Sequence, residues 1–244
     1  MLGRGKTKRG RLGVCRVGVF LLLLGVPARV TESGETARAA QLNNLGPAVA
    51  QLERDDSLCE KIVGVVNLGR ADVSTYVVKK GDSLISIAKR TRSTVRVVGC
   101  LNPQITSVNH VLVGELLLIL KWKPRVIVDT RKQALTIALG DLIVKEYAVG
   151  IGMGGKFATP RGTFKIGNKV WNPYDAEHKA DAGHPMNQFG HVWIALNVRG
   201  YGIHGTNVSE TLGPQTTKGC LLMSNRDAGE LGELLPFGTS VAIN

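Results

Sequence analysis

Two short stretches near the end of the 244-residue chain hold residue types suited to nucleophilic catalysis. One is Tyr201-Gly202-Ile203-His204-Gly205-Thr206-Asn207, and the other is Thr216-Thr217-Lys218-Gly219-Cys220-Leu221-Leu222-Met223. A cysteine thiol is mostly protonated at neutral pH, with a free pKa of about 8.5, so it needs a base to become a nucleophile. An imidazole can take that proton and later return it to a leaving amine. Gly205 and Gly219 permit close backbone approach, which would let an acyl group reach the sulfur. Main-chain N–H groups around Gly219 and Cys220 could then face a developing oxyanion, worth roughly 3–4 kcal/mol per donor. By residue type alone, the same pair also reads as a satisfied polar histidine and a core thiol.

A second group, His178, His184 and His191 with Asp175 or Asp181, has metal-ligand chemistry. Its spacings match no His/Asp zinc motif, and Gly and Pro punctuate it as they do a loop. A lid or cleft wall containing Trp171, Tyr174 and Pro185 is the better reading. No metal or cofactor is expected. Nucleic acid is not expected either, since the strongest basic cluster lies at the N-terminus and no recognition motif accompanies Lys121–Arg125.

The elements around the pair are strands. Arg125–Thr130, Ala134–Ala138, Ile143–Val149 and Val192–Asn197 alternate or are β-branched between turns such as Leu139-Gly140-Asp141. Thr159-Pro160-Arg161-Gly162 is itself a turn pattern. This spacing predicts a mostly β domain, an antiparallel sandwich or barrel-like sheet, over residues 125–244.

Ile203-His204-Gly205-Thr206, followed by Thr217-Lys218-Gly219-Cys220-Leu221-Leu222-Met223, resembles the signature of the L,D-transpeptidases. The likeness takes in Asp129 and Leu135, Val149-Gly150, Thr159–Phe164, Asn187–Gly190, Trp193-Ile194, Leu212-Gly213 and Gly238–Val241. It implies the L,D-transpeptidase fold, with Cys220 as nucleophile and His204 as general base and then acid. The expected substrate is a peptidoglycan tetrapeptide stem. D-alanine would leave, and the acyl group would pass to an amine of another stem as a 3→3 cross-link. A carboxypeptidase using water, an inactive wall-binding protein and a zinc hydrolase are the competing readings. The resemblance also implies that a main-chain carbonyl beside the Gly-Cys pair, that of Lys218, holds the His204 ring. Thr217, Trp193, Asn187 and Arg226 are the expected substrate contacts. Leu222 stands where the family usually has an Arg, so Arg226, Arg161 or Lys218 would have to meet the donor carboxylate. Cys15 would leave with a cleaved signal segment, and a reduced Cys220 then leaves Cys59 and Cys100 to pair as a disulfide, or to remain as two buried thiols.

Ahead of this domain, residues 76–120 read as strand, helix, helix, strand. Tyr76, Val78, Gly81-Asp82-Ser83-Leu84, Ile87-Ala88, Asn102 and Gly114 fall in the pattern of the LysM module. A small βααβ domain is therefore expected, making the chain α+β as a whole. The resemblance implies binding to glycan strands that contain N-acetylglucosamine, as in peptidoglycan. Residues 121–124 are a short basic linker. Residues 29–75 are a helical or spacer region. Within it, Thr36–Leu52 is amphipathic but broken at Gly46-Pro47, and Ile62–Val66 fits either a strand or a packed helix.

Residues 1–28 have a basic head, an uncharged Val17–Val26 and small residues at Val26-Pro27-Ala28. That is the pattern of a secretory signal; an uncleaved anchor is the alternative. The uncharged run of ten residues is half of the roughly 20 needed to span a bilayer. The formal net charge of +12 suggests an anionic partner until this segment is set aside, which leaves 25 basic against 19 acidic residues. The expected location is the periplasm or cell wall. The oligomeric state is not written in the sequence.

Overall fold

The computed structural model describes residues 56–67, 72–108, 111–208, 212 and 215–244. The expected signal segment and the Thr36–Leu52 helix lie outside the described residues. Among those described, no helix is long and apolar enough to cross a membrane.

The first described element is the helix α1 (Asp56–Asn67). Strand β1 (Val73–Val77), helices α2 (Leu84–Arg90) and α3 (Val95–Leu101), and strand β2 (Leu116–Leu120) follow as the βααβ unit. β1 and β2 pair antiparallel, Val73 opposite Leu120. Ser83 caps α2 with a reciprocal box, its hydroxyl accepting from the Ser86 N–H while the Ser86 hydroxyl accepts from the Ser83 N–H. Val78, Leu84, Ile87, Val98, Ile105, Leu117 and Ile119 form the module's own core.

The larger domain is built from β3 (Arg125–Asp129), β4 (Ala134–Leu139), β5 (Leu142–Ala148), β6 (Ile151–Gly152), β7 (Gly162–Trp171), β8 (Val192–Leu196), β9 (Gly202–His204), β10 (Gln215–Thr217), β11 (Leu221–Leu222), helix α4 (Asn225–Leu234) and β12 (Ser240–Ile243). Eight strands form one sheet in the order β11-β9-β8-β7-β12-β3-β4-β5, and β6 and β10 pair separately. The domain is mostly β, as expected, but the sheet is mixed. β12 runs parallel to β3, and β11 runs parallel to β9. Each of these parallel pairs needs a long return connection, which local alternation does not reveal. Along the strands, Val126, Val128, Leu135, Ile137, Val192, Ile194, Val241 and Ile243 enter one core, which also takes Ala228, Leu231 and Leu234 of α4.

Two connecting regions are more than connections. Asp56–Asn67 is a packed helix rather than a spacer. Its Leu58 and Ile62 are fully buried in the same core as the sheet, because α1 lies against both α3 and β5. The expected linker is a joint. Trp122 is buried, and its indole N–H donates to the Leu234 carbonyl at 2.6 Å, near the end of α4. Cys59 of α1 and Cys100 of α3 are joined as a disulfide.

Candidate active site

β9 and β11 bring the two chemically suited residues together. The parallel register sets Leu222 opposite His204. Cys220 directly precedes β11, and its sulfur reaches Gly200 and the backbone of Gly202, so the thiol lies at the start of the strand that carries His204. His204 is 5% exposed, and its Nδ1 lies 2.8 Å from the Gly205 carbonyl oxygen. A carbonyl only accepts, so Nδ1 carries the hydrogen and Nε2 is left as the basic nitrogen. The carbonyl that orients the ring therefore belongs to Gly205, directly after the histidine, and not to Lys218. The Lys218 ammonium stands 3.5 Å from Glu177.

The imidazole is boxed by aromatic rings. Trp193 stacks on it at 5.5 Å and 22°, and Phe189 meets it edge-on at 5.6 Å. Gly202 leaves space for the indole, since a Cβ there would come within 2.7 Å of the Trp193 ring. Trp193 thus backs the imidazole, a role different from the substrate contact expected of it. Burial pushes the His204 pKa down, opposed by backbone hydrogen bonding to Gly205 and Gln188.

Cys220 is the free cysteine among the described residues and is half-buried. Its thiol donates to the Gly200 carbonyl at 3.7 Å and makes no hydrogen bond to His204. Burial pushes the thiol pKa up, while the Gly202 backbone N–H lowers it. The resting pair is thus a neutral thiol beside a neutral imidazole.

The turn before the sulfur is tightly drawn. The Thr217 hydroxyl donates to the Cys220 carbonyl at 2.7 Å and accepts from the Gly219 N–H at 3.1 Å. Thr217 therefore shapes this turn, and the Gly219 N–H expected to face an oxyanion is occupied. The Cys220 N–H has no acceptor among the described residues. Gly219 has φ +113°, and a Cβ on it would meet Tyr201 at 2.6 Å. No other residue fits there without a shift.

The 172–191 loop is held from within. Asp175 is fully buried, and its carboxylate accepts from the N–H groups of Glu177, His178 and Gln188 and faces His178 Nδ1 at 3.0 Å. Burial pulls its pKa upward, but these donors outweigh that and hold it below the usual carboxylate range. Asn187, expected to touch substrate, is buried instead. Its amide donates to the Pro173 and Ala180 carbonyls, so it fixes the loop that carries Phe189. His184 and His191 engage other partners, the Met186 N–H and Asn172, and no metal-ligating trio gathers among the described residues. Trp171 packs against Gly232 of α4 and is not part of a lid, whereas Tyr174 and Pro185 are exposed.

Arg226 is exposed on the first turn of α4, and Arg161 lines a recess with Asp129 and Arg131. Leu222 is buried at 4% exposure, bracketed by backbone bonds to Gly150. One residue the sequence reading passed over is Asn225. Its side-chain oxygen accepts from the His191 N–H at 2.9 Å and lies where Cβ atoms on Gly190 or Gly205 would stand, 2.1 Å away in each case. Its amide donates to Asn207 at 2.8 Å. Asn225 therefore clasps the backbone segment whose carbonyl aims His204.

A family model for the L,D-transpeptidase catalytic domain (YkuD) matches residues 123–243, and one for the LysM domain matches residues 76–119. YkuD of Bacillus subtilis (strain 168), which bears the L,D-transpeptidase name, is 34% identical over 176 residues, 70% of this chain and 98% of that protein. YqjB of the same organism is 35% identical over 125 residues, covering 49% of this chain and 70% of YqjB. A crystal structure of the L,D-transpeptidase (Yku) from Stackebrandtia nassauensis, 19% identical, covers 82% of this chain and 92% of that chain with a TM-score of 0.42. The chain belongs to the L,D-transpeptidase family, with a LysM domain ahead of the catalytic domain. It is accordingly an acyltransferase of the transpeptidase type. The LysM domain implies glycan binding and the catalytic domain a peptidoglycan peptide substrate.

Proposed function

We propose that the protein is an exported L,D-transpeptidase that forms 3→3 cross-links through a thioester on Cys220. The observation that carries this reading is the half-buried free thiol at the start of the strand that carries His204, whose Nδ1 is tied to Gly205, which leaves Nε2 as a base. A rotation about the Cys220 Cα–Cβ bond takes the S–H from the Gly200 carbonyl toward Nε2; unliganded sites often hold such contacts loosely. Nε2 accepts the proton as the sulfur attacks the carbonyl that joins the third stem residue to D-alanine. The free Cys220 N–H faces the developing oxyanion. Collapse breaks the C–N bond, and the imidazolium gives its proton to the departing D-alanine amine. The side-chain amine of a second stem then attacks the thioester, returns a proton through His204 and frees the sulfur. With Leu222 buried, Lys218 is the exposed cation adjacent to Cys220, and it meets the donor carboxylate by exchanging Glu177 for substrate.

The export half of the proposal rests on the signal-like residues 1–28 and on the Cys59–Cys100 disulfide, which belongs in an oxidising compartment. The test of the reaction is incubation of the protein with a tetrapeptide-stem muropeptide, followed by mass spectrometry. D-alanine release with dimer formation is expected, and both are lost in Cys220→Ala. Tripeptide product without dimer would make water the acceptor, and activity surviving Cys220→Ala would overturn the thiol mechanism. Fractionation of cells that express the chain tests export.

A further inference from the structure

A recess of about 870 Å³ lies where the LysM helices meet the catalytic domain. It is separate from the acyl site. Lys169 and Trp171 of β7 line the recess, and Trp171 faces α4. The intervening Val170 pairs with Trp193, which pairs with His204 on the opposite face. The thickness of the sheet therefore stands between the recess and the sulfur.

The lining is strongly one-signed. Lys89, Arg92, Arg96, Lys123 and Lys169 contribute five cations against one acid, Glu233. These cations come from both modules and from the joint, so neither domain alone assembles the set. Arg96 and Lys169 already have partners, which leaves Lys89, Arg92 and Lys123 as the exposed cations whose charge an anion entering the recess would offset. Burial lowers the Lys169 pKa to about 8, and its ammonium is held by the Gly232 and Leu235 carbonyls. Arg92 sits at φ +55°, a backbone region that a long side chain rarely adopts. Ser93 is 7% exposed, and its hydroxyl has no hydrogen-bond partner among the described residues. At the rim, Phe237 is 76% exposed, a flat apolar face in a polar mouth. The volume falls in the ordinary range of ligand pockets, about 300–1,000 Å³.

We propose that this intermodule recess is a second carbohydrate site, one that takes an anionic saccharide: a sugar face stacks on Phe237 while its carboxylate or phosphodiester meets Arg92, Lys89 and Lys123. A neutral glycan has no use for these three exposed cations, and a nucleic acid would be tracked by a longer basic stripe along a surface. The site goes beyond the transpeptidase reading and does not depend on it, because it requires no turnover.

The test is calorimetric titration of the full chain with four probes at low salt: a short glycerol-phosphate oligomer, trigalacturonate, neutral chitotriose and a single-stranded DNA oligomer. Arg92→Glu and Phe237→Ala change exposed side chains, and their folding is checked by thermal unfolding. At least one of the two anionic saccharides is expected to bind, with an affinity that falls as salt is added. Either variant should weaken that binding at least tenfold and leave chitotriose binding unchanged. Whichever of the two binds identifies the phosphodiester or the carboxylate as the natural charge. The proposal is overturned if neither binds or if the variants leave the affinity unchanged. It also fails if chitotriose binding weakens as much, or if the DNA oligomer binds as tightly as the better saccharide.

Discussion

The polar groups of the LysM module and those of the acyl site are treated in opposite ways. In the module, Asn102 is 1% exposed and fully matched: its amide donates to the Val98 and Leu118 carbonyls, and its oxygen accepts from the Leu118 N–H. Asp82 is likewise matched, accepting from the Tyr76 hydroxyl at 2.7 Å and the Lys79 N–H at 2.9 Å and pairing with Arg90 at 3.0 Å. In the candidate active site the sulfur has one long contact to the Gly200 carbonyl beside the Gly202 backbone, and the Cys220 N–H has no acceptor among the described residues. Groups that hold the fold are saturated, whereas the groups proposed to meet the substrate carbonyl are left open and their supports are saturated in their place.

Substitutions should separate these two regimes. The largest effect is expected at the open sulfur. Cys220→Ala should lower D-alanine release by on the order of 10⁴-fold, read by mass spectrometry, with the urea midpoint almost unmoved. Asn102→Ala should do the reverse. It removes three hydrogen bonds and strands buried partners, costing about 3 kcal/mol of unfolding free energy in urea, while turnover of a small soluble stem peptide is retained. Reduction of Cys59–Cys100, 41 residues apart, should cost a similar amount, up to about 3–4 kcal/mol, and raise the thiols titrated in the folded protein from one to three within residues 56–244. If turnover fell together with stability in either case, the two regions would not be energetically distinct.

A smaller effect is expected at a support. Asn225→Ala should lower kcat about tenfold, equivalent to about 1.4 kcal/mol, with KM little changed, because it loosens the Gly205 carbonyl and not the substrate contacts.

The smallest effect is in pH dependence. His204 has its pKa depressed by burial, so below its unfolded value of about 6.5 the unfolded chain binds more protons than the folded one. Stability contributed there falls on acidification, and His204→Gln should flatten that slope in urea midpoints measured from pH 7 to pH 5. The Tyr76 hydroxyl, more than any other group, holds the Asp82 carboxyl below its ordinary range. Its contribution is retained through that window and is lost only as pH falls below the usual carboxylate value of about 3.9.

The same contrast explains what the sequence disclosed. The module's nodes are local: Tyr76 and Asp82 are six residues apart, and Asn102 and Leu118 sixteen. Such spacings survive as a readable pattern. Cys220 and His204 were legible because the glycines beside them are required by close contacts at Tyr201 and Asn225. Asn225 was not, since its partners His191 and Asn207 are distant in sequence and an Asn near a helix start looks like an ordinary cap. Asp175 was noticed as a metal-ligand candidate, whereas its carboxylate ties the N–H groups of its own loop. Asn187 was noticed but misread, because the sequence marked it as important without showing which way its amide points. The burial of Trp122, and with it the conversion of a linker into a joint, depends on a carbonyl 112 residues away.

That joint has a mechanical consequence. An indole bonded to the end of α4, with α1 packed against both α3 and β5, couples the LysM module to the catalytic domain, so a load on one is carried into the core of the other.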